Sequence, residues 1–121
     1  MKKSTNDPSG DATLSQIILC ASTQSQKRAP NLYDIFFALG NPQRRGVFEA
    51  LCHHEYQIED LVTLTFARYQ GIREHLIILE RCGMITSFKE GKYRYYHANH
   101  NALKNLQIWV ALRQIELRRL N

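Results

Sequence analysis

Cysteine is scarce in this chain, and its placement excludes much chemistry. Cys20, Cys52 and Cys82 are the only three, far apart and odd in number. They form no CxxC knuckle and no disulfide framework, so a reducing compartment is expected. Long hydrophobic runs are missing too. None approaches the roughly 20 apolar residues that a membrane span requires. The patch from Ile17 to Ala21 is too short for a signal-peptide core. The expectation is a cytoplasmic protein with no membrane partner. There is no phosphate-binding glycine loop, no nucleophile elbow, no credible metal triad and no internal repeat. An enzyme is therefore not expected, and neither a cofactor nor a metal is called for.

What is present is a mild basic excess. Lys and Arg number 16 against 11 Asp and Glu, giving a formal net charge of +5. That balance suits a nucleic-acid partner, and it equally suits a solubilising surface. The length fits one domain. Residues 1–12 are Ser-, Asp- and Gly-containing and read as a disordered tail. Residues 13–30 read as a short amphipathic helix, carrying Leu14, Ile17, Ile18 and Ala21, and a linker ending at Pro30. Residues 31–121 read as the folded domain.

Within that domain, apolar spacing predicts four helices, a hairpin and a final helix. Leu32, Ile35, Phe36 and Leu39 share one helical face, and Gly40-Asn41-Pro42 closes that helix and starts the next. The second helix turns Val47, Phe48 and Leu51 inward, with Cys52 a small core residue at its end. It carries Arg44 and Arg45 near its N-terminus, where the helix dipole disfavours cations. Either an anionic group lies near them or they are solvated. Ile58 to Leu64 reads as a third, short helix with Ile58, Leu61, Val62 and Leu64 inward, and Thr65-Phe66-Ala67 as a turn. The fourth helix repeats Ile72, Leu76 and Leu79 on its core side and shows Arg68, Tyr69, Gln70, Arg73 and His75 on its polar side. Gly83 is placed to cap it. Met84 to Phe88 and Tyr93 to His97 read as strands joined at Glu90-Gly91. The last helix, from about Asn101 to Leu120, has two apolar stripes. One holds Leu103, Leu106, Val110 and Leu117; the other holds Ile108, Leu112 and Ile115, with Trp109 between. One stripe can cover its own domain, and a second copy of the chain is the simplest cover for the other.

These segments carry a resemblance. ALGNPQRR from Ala38 to Arg45, Glu59-Asp60-Leu61, the His75-Leu76 to Gly83-Met84-Ile85 segment and GKYRYY from Gly91 to Tyr96 stand in one order and spacing. Together they resemble the ArsR/SmtB type of winged helix-turn-helix repressor over roughly Leu32 to Trp109. The resemblance implies a mainly α fold of order α-α-α-α-β-β-α and a homodimer on double-stranded DNA. It implies a near-palindromic operator and dimerisation through the last helix, at Leu103, Leu106, Trp109, Val110 and Leu117. Arg68, Tyr69, Gln70 and Arg73 would face the major groove, with His75 setting the helix-turn-helix or touching phosphate. Lys89, Lys92 and Arg94 of the wing, with Arg44 and Arg45, would meet phosphates. The chain departs from the family pattern in two places. The turn before Arg68 lacks the usual Gly and the Ser or Thr cap, and Gly71 lies within the helix.

The usual metal sites of such repressors are not matched. No cysteine lies near Ile58 to Leu61, and the last helix offers Arg113 where a ligand would stand. His53-His54 and His97-x-x-His100 are the remaining ligand-type pairs. The alternatives are a winged-helix protein-interaction module, a thiol- or metal-responsive repressor, and control by an unknown small-molecule or protein effector.

Overall fold

The computed structural model describes residues 28–120. The helix and tail expected before Arg28 lie outside them. The elements run α1 (Leu32–Leu39), α2 (Pro42–His53), α3 (Ile58–Thr65), α4 (Tyr69–Arg81), β1 (Ile85–Glu90), β2 (Tyr93–Ala98) and α5 (Lys104–Arg119). This is the winged helix-turn-helix order expected from the sequence. No helix among the described residues is long and apolar enough to cross a membrane.

Local chemistry sets the helix ends. The Asn31 side chain accepts the Asp34 backbone N–H, and that of Asn41 accepts the Arg44 N–H, both at 2.9 Å. Each cap satisfies an N–H left over at a helix start. At the far end of α4, Gly83 adopts φ +82. Its N–H donates to the Glu80 carbonyl at 3.0 Å, and the Met84 N–H donates to Leu79 at 2.9 Å. These are the two bonds of a Schellman ending, which needs a left-handed residue. The chain thereby reverses straight into β1.

The core gathers Ile35 and Ala38 of α1, Val47, Phe48 and Leu51 of α2, Leu61 of α3 and Ile72, Leu76 and Leu79 of α4. Cys82, Met84, Ile85 and Ala102 close it. β1 and β2 pair antiparallel from Ile85 with Ala98 to Glu90 with Tyr93. The wing is not a free ribbon. Tyr56 and Tyr96 exchange two backbone hydrogen bonds, at 3.1 and 2.8 Å, so the α2–α3 connector forms a third rung at its base. Buried Asn99 anchors the wing's exit. Its side-chain amide donates to the carbonyls of Gly83 at 3.0 Å and Arg28 at 3.1 Å.

Several expectations are corrected. Arg44 is not available to phosphate. Its Nε donates to the Ala38 carbonyl at 2.8 Å and its Nη2 to Phe37 at 3.0 Å, and the side chain is buried. Arg45 donates to the Leu39 carbonyl at 2.7 Å from an exposed position. The negative group these arginines face is the carbonyl end of α1, where the dipole favours cations. Cys52 is exposed, and of the two described cysteines Cys82 alone behaves as a core residue. Phe36 and Leu64 point outward, each about half exposed. No residue of α5 is buried, and of its two stripes only Leu106 packs partly against the described core.

Arg44→Ala should lower unfolding stability by about 2 kcal/mol, because it strands buried carbonyls that now hold a charged donor. Arg45→Ala should cost under about 0.5 kcal/mol, as expected of an exposed side chain. Urea melts of the two variants check this; equal losses would contradict the difference in burial.

Candidate nucleic-acid interface

The polar side of α4 is built by elimination. Ile72, Leu76 and Leu79 take the core side, at 0%, 2% and 0% exposure. Residues that fall between them on the helix must then face out. Arg68 is the N-cap, and no side chain caps the helix. Arg68, Tyr69, Gln70 and Arg73 are all exposed. Gln70 donates to Glu74 at 3.3 Å, a long bond on the surface.

His75 belongs to the scaffold. It is partly buried, and its Nε2 lies 3.0 Å from Gln43 Oε1. An amide oxygen only accepts, so Nε2 carries the proton. Nδ1 is buried with no hydrogen-bond partner. Burial pushes the imidazole pKa below 6.5, the Arg44 charge lowers it further, and Glu74 opposes. His75 is thus a neutral tie between α4 and α2.

The wing presents its cations next to this helix. Lys89 and Arg94 sit directly opposite each other across the strands. Like charges in that position repel unless an anion joins them. Arg94 donates to Ser87 Oγ at 2.9 Å, and Ser87 donates to Glu80 Oε2 at 2.9 Å. That relay ties the wing to the back of α4. Gly91 holds the hairpin turn at φ +67, and exposed Lys92 follows it. On the wing's other face, Phe88 stacks on Tyr95 with ring centres 5.6 Å apart.

Between α4 and the wing lies an open cleft of about 580 Å³. Tyr69 and Arg73 of α4 line it, with Tyr93, Arg94 and Tyr96 of β2, Lys92 of the wing's turn, Gln57 before α3, and Ile58 and Glu59 of α3. Burial raises the Tyr96 phenol pKa, with Glu80 adding to the effect, so Tyr96 is a neutral donor here. The structure thus gathers Tyr69, Arg73, Lys92 and Arg94 around one cleft. It leaves Arg68, Gln70 and Lys89 beside it, and sets Arg44, Arg45 and His75 apart at the α1–α2–α4 junction. Sequence reasoning missed Ser87, Glu80 and Tyr56. Their partners are 7 to 40 positions away, and no spacing rule signals such pairs. Among the described residues no group of three His, Cys, Asp or Glu side chains could hold a metal ion.

A second surface is formed by α1 and α5. Phe36 of α1 meets Trp109 of α5 edge to face at 6.1 Å, and Arg113 lies over the Trp109 ring. Around them Tyr33, Phe37, Ile108, Val110, Leu112, Ile115 and Leu117 are 39% to 60% exposed. Leu103 is 36% exposed, and only Leu106 packs partly against its own core.

No protein-family model matches the chain. Over 79 residues it is 37% identical to an uncharacterized HTH-type transcriptional regulator, YuzN, of Bacillus subtilis (strain 168), covering 60% of this chain and 86% of that one. Among solved structures it is similar to an ArsR-like transcriptional regulator from Rhodococcus sp. RHA1. That match has a TM-score of 0.66 and 26% identity over 82% of this chain and 90% of that chain. It is also similar to a protein described as a possible transcriptional regulator for arsenical resistance. There the TM-score is 0.60 and the identity 30%, over 72% of this chain and 92% of that chain.

The lowered His75 pKa sets a sign for pH dependence. The unfolded chain takes up this proton near pH 6.5, and the folded protein does so only at lower pH. The contribution of neutral His75 is therefore present above pH 6.5 and is lost as pH falls towards the folded-state pKa. Urea midpoints measured from pH 7.5 down to 5 should fall less steeply in His75→Gln than in wild type.

Proposed function

Because the chain belongs to the ArsR family of winged helix-turn-helix transcriptional regulators, we propose that it acts as a homodimeric repressor on a near-palindromic operator. In this reading residues 31–121 form one DNA-binding and dimerisation domain. α4 enters the major groove, where Arg68 and Arg73 suit guanine and Gln70 suits adenine. Tyr69 contacts the groove wall. Lys89, Lys92 and Arg94 take the phosphates, with Arg45 at the margin. Arg44 and His75 act one step back, holding α2 against α1 and α4.

The observation that carries the reading is the set of cations around the cleft. Arg73, Lys92 and Arg94 face one opening, and Lys89 stands opposite Arg94. A phosphodiester passing between helix and wing would relieve that repulsion. The apolar face of α1 and α5 supports the two-fold. It is apolar on both helices, aromatic on α1 and mainly aliphatic around Trp109 on α5. Paired there, two copies would set their α4 helices in successive major grooves about 34–36 Å apart. Occupancy of a promoter then blocks transcription without any chemistry. Such a protein would work where its DNA is, in the cytoplasm.

Fluorescence anisotropy against a duplex selected from the source genome tests this. Affinity should fall roughly a thousandfold between about 50 and 200 mM salt if about six phosphates are neutralised. Arg68→Ala with Arg73→Ala should weaken the operator complex by roughly a hundredfold and nonspecific binding by under about tenfold. Salt-independent binding, or equal loss on all duplexes, would contradict specific recognition. Val110→Glu with Leu117→Glu should convert a sedimenting dimer into a monomer; an unchanged species would place the two-fold elsewhere.

A further inference from the structure

The turn between α3 and α4 holds a residue that its own fold does not use. Phe66 has φ 57 and ψ 24, a left-handed conformation that a bulky side chain adopts at a cost. It is the only non-glycine residue with positive φ among those described. The turn itself is secured without the ring. Thr65 Oγ1 donates to the Leu61 carbonyl at 2.8 Å and accepts the Ala67 N–H at 3.3 Å. The Phe66 side chain is 94% exposed, the most exposed of the large hydrophobics. Glycine would remove the strain. Phe66 therefore contributes nothing visible to folding and opposes it through its backbone conformation.

Its position is informative. Phe66 lies two residues before Arg68, the N-cap of α4. Tyr69, the next residue, is also half exposed, as is Leu64 on the other side of the turn. An apolar tip thus sits at the end of the helix that enters a groove first, where side chains reach base edges. The edges of three bases offer only polar atoms there, whereas thymine offers a methyl group.

We propose that Phe66 is a specificity-determining residue that packs on the 5-methyl group of a thymine at the edge of the site read by α4. The inference rests on the DNA-binding reading above and adds an apolar contact to its Arg and Gln contacts. It implies a thymine preference in each half-site, flanking the bases met by Arg68.

Stability and affinity should move in opposite directions on substitution. Phe66→Gly should raise the thermal midpoint and weaken binding to the preferred duplex. The probe is the tightest duplex that the wild-type protein selects from a randomised library. Its thymines are replaced one at a time by 2′-deoxyuridine, which removes only the methyl group. The replacement of one contacted thymine should cost wild type roughly fourfold, the worth of a buried methyl. The same replacement should cost Phe66→Gly almost nothing. Phe66→Asn, which also tolerates the left-handed turn, should behave like the glycine variant. If Phe66→Gly binds as tightly as wild type, or if both respond alike to every deoxyuridine, the proposal is wrong while DNA binding stands. If wild type selects no duplex at all, the underlying reading fails with it.

Discussion

The burial of one stripe of α4 is the constraint from which the rest follows. Ile72, Leu76 and Leu79 are almost completely withdrawn from water, each worth roughly 1.5–3 kcal/mol. With that face fixed, the 3.6-residue repeat leaves Tyr69, Gln70 and Arg73 only the outward side. The same helix is thus the centre of the core and the presenting element. Its Schellman ending at Gly83 delivers the chain into β1 without a loop. The wing has little freedom to sit anywhere but beside α4.

Polar groups divide into those that hold this arrangement and those left open. Arg44 and Arg45 are spent on the carbonyl end of α1. His75 is spent on Gln43, and Asn99 on Gly83 and Arg28. At Ala38 and Gly83 the donor meets a buried carbonyl that would otherwise be stranded, and such groups are costly to leave unmade. Around the cleft the balance is reversed. Arg73, Lys92 and Arg94 converge on a cleft that Glu59 alone lines with a carboxylate. The same residue type, arginine, is scaffold in one place and presented surface in another; geometry alone separates the two.

Periodic features were legible in the sequence. The α4 stripe, the Gly83 ending, the hairpin and the order of elements all follow from spacing that a single segment carries. What escaped was set by tertiary partners. Arg44 looked like an open cation because its partners are backbone carbonyls, which every residue has and no sequence marks. The Tyr56–Tyr96 rung is a backbone pairing between distant segments, with no side-chain signature. Cys52 and Cys82 both end helices, yet only the second faces the core. Of the surface cations, the sequence distinguished the wing and α4 groups by the polar side of the helix and the basic hairpin after it, and the resemblance gave them roles. Their convergence on one cleft needed coordinates.

α5 has a further consequence. It is a helix of 16 residues whose side chains are never fully buried in the described fold. Isolated helices of about this length are marginal in water, because nucleation is costly and packing usually supplies the difference. In the dimer proposed above, the second copy would supply packing that α5 otherwise has little of. Dilution that separates the copies would then loosen the helix, and helicity in this last segment would depend on how much protein is present as well as on which residues it contains.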